Sequence, residues 1–194
     1  MIIIITPEKM VPNETEIINV LFQEGLDLLH IRKPFINSEE MMDFFQKINP
    51  EFHHQLVLHN HCYLAGDLNI SRLHFREIDR QNNLFSSFTD KIISTSVHDI
   101  EAFNELSEEW NYAFISPVFP SISKKGYGKD SNILNEIEKR DNSNVKLIAL
   151  GGIHENNINE VLNSNADGVA LLGAIWESDN PLQIFRKCRQ NVLF

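Results

Sequence analysis

The segment LHIRKP sets His30 and Arg32 two residues apart, so in an extended strand both side chains leave the same face and a fixed guanidinium fork stands at its end. A surface ion pair would use Arg32 equally well. ISTSVH offers Ser96 and His98 where a strand gives way to a crossover, and a helix cap at Ser96 is the competing use. LIALGGI and DGVALLGAI each close an apolar run on bare backbone, with Gly151 and Gly152 in the first and Leu172 and Gly173 in the second. Such glycines let N–H groups approach a phosphate, and a following helix start adds positive potential; tight turns would need the same residues. Upstream, ISPVFPSISKKGYGK carries Ser121, Ser123, Lys124 and Lys125. Hydroxyls donate to phosphate oxygens and lysine supplies a point charge, so the loop reads as an anion clamp hinged at Gly126 and Gly128, against the alternative of a plain solvated loop.

HHQLVLHNHC invites a zinc reading, since His59 and His61 share a strand face and Cys62 follows. No second CxxC or HxxxH element completes four ligands, and histidines at strand ends commonly serve as hydrogen-bonded structural residues. GxSxG, Walker and dinucleotide fingerprints are absent, so nucleophile, NTPase and Rossmann chemistry have no local support.

The elements that must position these residues are short β-branched runs alternating with stretches of helical spacing. Strands are predicted over 2–6, 26–32, 55–59, 72–75, 91–95, 112–116, 146–150 and 168–172, apolar on successive positions as in strands buried on both faces. Helices are predicted over 13–22, 38–48, 99–106, 130–140, 155–163 and 181–190. Ser38 before two glutamates and Pro181 in a first turn mark two of the starts. The crossovers near 63–67 and 78–88 are short and predict degenerate helices. Eight such units over 1–194 imply α/β architecture, a single-domain (β/α)8 TIM barrel with trimmed loops. An open doubly wound sheet is the alternative. In such barrels the site lies at the carboxyl ends of the strands, with a phosphate often held after strands seven and eight.

The chain's 194 residues carry 17 lysines and arginines against 27 acids, a net charge of −10. With no basic block, a nucleic-acid or anionic-membrane partner is disfavoured, and any bound anion must sit in a local positive pocket. Cys62 and Cys188 match no paired metal spacing and read as free thiols in a reducing cytoplasm. The opening MIIIITPEKM lacks a basic n-region, and its apolar run is too short for a signal or spanning segment.

Taken in order along the chain, IIIIT, LHIRK, HN, RLHFRE, STSVHDIEA, PVFPSISKKG, IALGGI and ADGVALLGAI resemble the thiamine phosphate synthase family and its sister group, the TenI-type thiazole tautomerases, over nearly the whole length. The resemblance implies a magnesium-assisted transferase that joins hydroxymethylpyrimidine pyrophosphate to thiazole phosphate and releases pyrophosphate. Its partners would be those small phosphorylated substrates, with a homo-oligomer possible. It further implies that Arg32, Asn60, Ser96 and Lys124 hold the pyrophosphate. Ser121 and Ser123 then stand for the usual threonines near the thiazole phosphate, with Gly151, Gly152, Leu172 and Gly173 as its cradle. Asp79 falls at one of two magnesium-binding aspartates, and His30 at the family's usual glutamine.

Two positions depart from the family pattern. The expected lysine after Arg32 is Pro34, which leaves Lys33 as the neighbour that could compensate, and the aspartate after Asn60 is His61. Each lost charged contact to a buried anion costs about 1.5 to 3 kcal/mol. The thiazole-phosphate half is therefore better kept than the pyrophosphate half, as a tautomerase would show. The histidine of the TenI type, however, falls at Pro117, so His30, His61 or His98 would have to move the proton. The synthase is the first expectation, the tautomerase the second, and a non-catalytic thiazole or thiamine phosphate binder the third.

Overall fold

Each predicted strand is apolar on successive positions because it has two buried faces, one toward a barrel axis and one toward a jacket of helices. The computed structural model describes residues 1–122, 126 and 128–192. It pairs β1 (Ile2–Ile5), β2 (Leu28–Ile31), β3 (Leu56–Leu58), β4 (Arg72–Phe75), β5 (Ile92–Val97), β6 (Trp110–Ile115), β7 (Lys146–Leu150) and β8 (Gly168–Leu171) in parallel and in chain order. Ile2, Ile3 and Ile4 of β1 face Val169, Ala170 and Leu171 of β8, which closes the barrel and excludes the open sheet. Strand bounds coincide with the sequence reading for β4 and β7 and differ by one or two residues elsewhere.

The helices are α1 (Glu14–Gln23), α2 (Ser38–Gln46), α3 (Glu77–Gln81), α4 (Ile100–Asn104), α5 (Ile133–Glu136), α6 (Ile158–Leu162), α7 (Gly173–Trp176) and α8 (Pro181–Val192). Ser38 is the first residue of α2 rather than its cap. Asn37 caps it, accepting from Glu40 N at 2.9 Å while Glu40 accepts from Asn37 N at 2.8 Å. Asp99 caps α4 through Ala102 N at 2.6 Å. The thin crossovers are a 3-10 turn at Cys62–Ala65 and, on the other side of β4, α3 followed by a 3-10 turn at Leu84–Ser87. The four-residue α7 has no counterpart in the sequence reading. Its Trp176 Nε1 donates to Ile5 O at 2.8 Å and ties the loop after β8 to the end of β1.

Two cores result. Ile2, Ile4, Leu29, Leu58 and Leu147 face outward with α1, α2 and α8 residues such as Ile18, Phe44 and Phe185. Ile3, Leu28, Val57, Tyr112, Phe114, Ile148 and Ala170 fill the barrel interior. Alternation along each strand carries the inward positions up to its carboxyl end, and the polar residues gather there.

Candidate functional site

A cavity of about 470 Å³ opens at the carboxyl ends of the strands. Its floor is Phe114, Ile5 and Ala170, and its wall includes Arg32, His59, His74, Arg76, Ser96, Ser116, Ser121, Gly151, Gly152, Leu172 and Gly173.

Inward parity sets a polar layer on the β2 to β6 side. His30 pairs in register with Val57, and the next residue up β3's line, His59, donates its N–H to Ile31 O at 3.1 Å. His74 lies beside Ser94, and Ser94 beside Tyr112. His30 Nδ1 is 2.6 Å from His59 Nε2, and His30 Nε2 is 2.6 Å from Tyr112 Oη. His74 Nδ1 meets Ser94 Oγ at 2.9 Å and its Nε2 meets Ser96 Oγ at 3.0 Å. The rings of His59 and His74 stack at 4.1 Å. Burial holds all three imidazoles neutral, with neighbouring positive charge as the lesser cause: His30 and His59 fall well below the usual histidine range and His74 to about 3. Burial likewise raises the Tyr112 hydroxyl far above its usual range.

The opposite wall is backbone. Gly151 and Gly152 have φ of 106° and 64°, and a Cβ on Gly152 would collide with Pro120 O. Only glycine fits that turn. It is stitched to the loop after β6, since Val118 N donates to Leu150 O at 2.9 Å and Phe119 N to Gly151 O at 3.0 Å. Asn157 Nδ2 donates to Gly152 O at 3.0 Å. Ser121, Gly151, Gly152, Leu172 and Gly173 all line the cavity.

The rim carries cations in a chain of negative net charge. Arg32 Nη2 is 2.8 Å from Glu8, with about a third of each side chain exposed, so it is at once a cavity residue and the surface ion pair weighed for it. Arg76, absent from the sequence reading, grips Asp79 by two bonds of 2.8 Å, Nε to Oδ2 and Nη2 to Oδ1. Asp79 also accepts from Arg76 N at 3.0 Å, and these bonds hold its carboxyl below the usual range.

Of the expected site residues, Arg32, Ser96, Ser121, Gly151, Gly152, Leu172 and Gly173 line the cavity. His30 stands behind its wall, fully buried, in contact with His59. Asn60 and Asp79 are not among the cavity's lining, though Asn60 Oδ1 is buried with no hydrogen-bond partner among the described residues. Ser123 and Lys124 lie outside the described residues. Lys33 does not compensate for Pro34, because its ammonium is sealed beneath the loop after β1, bonded to Glu14, Pro7 O and Lys9 O. Ser96 is no helix cap; its hydroxyl is on His74. The zinc set His59, His61 and Cys62 is not brought together either, since His61 turns to the Tyr63 hydroxyl at 3.0 Å. The residues missed, His74 and Arg76, follow the same two-residue parity along β4 that marked His30 and Arg32 on β2.

Comparison with known proteins bears on the same cavity. The thiamine-phosphate synthase of Listeria welshimeri is 30% identical over 148 residues, 73% of this chain and 71% of that protein. The thiamine-phosphate synthase of Clostridium tetani is 26% identical over 157 residues, 78% of this chain and 75% of that protein. A thiamine phosphate pyrophosphorylase from Bacteroides thetaiotaomicron superposes with a TM-score of 0.77 at 24% identity, covering 98% of this chain and 96% of that one, and supports the fold. The family model described as thiamine monophosphate synthase matches residues 2–175, every strand of the barrel included, and the chain belongs to that family.

Proposed function

We propose that the chain is a thiamine phosphate synthase, a transferase that joins hydroxymethylpyrimidine pyrophosphate to thiazole phosphate. The observation that carries this reading is that one cavity of about 470 Å³ has cationic side chains, Arg32 and Arg76, on one part of its rim and the Gly151, Gly152 and Gly173 backbone on another. Two anions have two chemically different seats.

In this reading the C–O bond to pyrophosphate breaks with its electron pair leaving on oxygen, and the pyrimidine cation is then captured by the lone pair of the thiazole nitrogen. Negative charge grows on the leaving group, so donors must stand there before it leaves. Arg32 and Arg76 meet that need, and each is held by a carboxylate partner at a partly exposed position from which an anion can draw it. Ser96 adds a hydroxyl beside them, and Asn60 and Lys124 are assigned to the same half. The thiazole phosphate is assigned to Ser121, Ser123, Gly151, Gly152, Leu172 and Gly173. His30 acts on the substrate through His59, which it touches.

The resemblance implies magnesium, a cation that takes hard oxygen ligands in near-octahedral geometry. His61 stands where the second aspartate would be and removes one hard oxygen ligand, so Asp79, once an anion draws Arg76 off it, and Asn60, whose buried Oδ1 is uncommitted, are the residues that would hold a magnesium ion carried on the pyrophosphate. The protein's own positive charge opposite the pyrophosphate is assigned to Arg32, Arg76 and Lys124.

Thiazole isomerisation is not favoured. The relatives are synthases by name, and Pro117, at the tautomerase histidine's position, packs against Gly151. A cytoplasmic location is part of the proposal, supported by two free thiols that burial raises to about 11 at Cys62 and about 12 at Cys188. Among the described residues no helix is long and apolar enough to cross a membrane. The test is an assay of purified protein with both half-substrates, read by chromatography. Thiamine phosphate with equimolar pyrophosphate supports the reading; thiazole isomerisation without pyrophosphate, or binding without turnover, contradicts it.

A further inference from the structure

We propose that His30, His59 and His74 form a binding site for a divalent transition ion of the zinc class, facing the cavity and separate from any magnesium that accompanies the pyrophosphate. One nitrogen from each ring lies within 4.8 Å of the other two. The three come from adjacent strand lines, β2, β3 and β4, so the barrel wall fixes their approach.

The outer nitrogens already have the partners that a metal-bound imidazole needs. His30 Nε2 lies 2.6 Å from Tyr112 Oη and His74 Nδ1 lies 2.9 Å from Ser94 Oγ. Each hydroxyl can accept from its ring nitrogen, and the tautomers in which it does so turn the His30 Nδ1 and His74 Nε2 lone pairs inward, the arrangement that orients histidine ligands in metal sites. Between them, His30 Nδ1 and His59 Nε2 approach to 2.6 Å, an imidazole–imidazole hydrogen bond whose single proton a metal ion would displace. Zinc–nitrogen bonds of about 2.0 to 2.1 Å in tetrahedral geometry set ligand atoms roughly 3.3 Å apart. Opening one contact by less than ~1 Å and closing the widest by about 1.5 Å reaches it, with Ser96 Oγ giving way at His74 Nε2. Nitrogen ligands without a carboxylate select zinc, cobalt or nickel over magnesium. His59 and His74 line the cavity, so the fourth position opens to it and three protein ligands leave room for a water or a ring nitrogen.

The test is equilibrium dialysis of the full chain against zinc chloride, with cobalt chloride as the spectroscopic probe. One ion per chain with a dissociation constant of about 1 μM or tighter is expected, with the visible absorption of tetrahedral cobalt. His59→Ala, at the half-buried member, should weaken binding about 100-fold or more and abolish the cobalt band, with folding checked by circular dichroism. His61→Ala should bind as the parent does. If the parent binds no zinc at 100-fold lower affinity than expected, or if His61→Ala loses the ion while His59→Ala keeps it, the proposal is overturned. Failure of the synthase assay with zinc binding intact would sink the functional reading and leave this site standing.

Discussion

Lys33 and Glu14 form an ion pair sealed from solvent: the ammonium lies 2.7 and 2.8 Å from the two carboxylate oxygens, and the side chains are 0% and 1% exposed. The same ammonium donates to Pro7 O at 2.7 Å and Lys9 O at 2.9 Å, so it pins the loop after β1 to the end of β2. A charge so fully committed holds structure and is closed to substrate.

Lys33→Met should therefore destabilise the fold by about 3 to 5 kcal/mol, because it strands a buried carboxylate. Arg32→Ala, one residue away, breaks a half-exposed pair and should cost less than about 1 kcal/mol in stability, while weakening pyrophosphate binding about tenfold or more. Urea midpoints and calorimetric titration with pyrophosphate check both. Comparable stability losses in the two variants would contradict the division of labour between neighbours.

Arg76 also stands at the rim. Arg76→Ala should lower pyrophosphate affinity about tenfold with a stability change under about 1 kcal/mol, since its pair with Asp79 is exposed on the arginine side. Without magnesium, Asp79→Asn should leave pyrophosphate affinity unchanged or raise it by freeing the guanidinium. A loss of affinity in Asp79→Asn but not in Arg76→Ala would contradict the assignment of the guanidinium to the anion.

Three histidines held neutral by burial make stability depend on pH. Their folded pKa values are depressed below the unfolded 6.5, His74 to about 3. As pH falls below about 6.5 the unfolded chain takes up protons that the native state refuses, so stability is full above that value and declines toward pH 3. Each such histidine contributes a slope of up to about 1.4 kcal/mol per pH unit. Urea midpoints of the metal-free chain between pH 7 and pH 4.5 should fall steeply, and less steeply in His59→Ala. A profile flat in both proteins would show that the imidazoles protonate in place.

Gly152→Ala drives a Cβ into Pro120 O at φ of 64° and should cost about 1 to 3 kcal/mol along with affinity for thiazole phosphate. Gly66→Ala, where a Cβ meets nothing within 4 Å, should change stability by less than about 0.5 kcal/mol. Equal effects at the two sites would remove the close packing of the β6 and β7 loops from the account.

The barrel was legible because doubly buried strands write themselves as continuous apolar runs, and the glycine turn after β7 was legible as a local motif. The histidine cluster was not. His30, His59 and His74 meet only through the cross-strand register that sets His30 beside Val57 and His74 beside Ser94, which no local window encodes. The structural role of Lys33 was hidden for a related reason: its partner lies nineteen residues back, and nothing near it in the chain announces Glu14. The four residues of α7 are too few to show a helical period.

The central claim is that one cavity seats two anions at two chemically distinct walls. Crystals soaked with thiamine phosphate and pyrophosphate test it most directly. The account predicts an ester phosphate against Gly152 and Gly173 and a pyrophosphate between Arg32 and Arg76. Both anions at the same wall, or an ester phosphate outside the cavity, would contradict it.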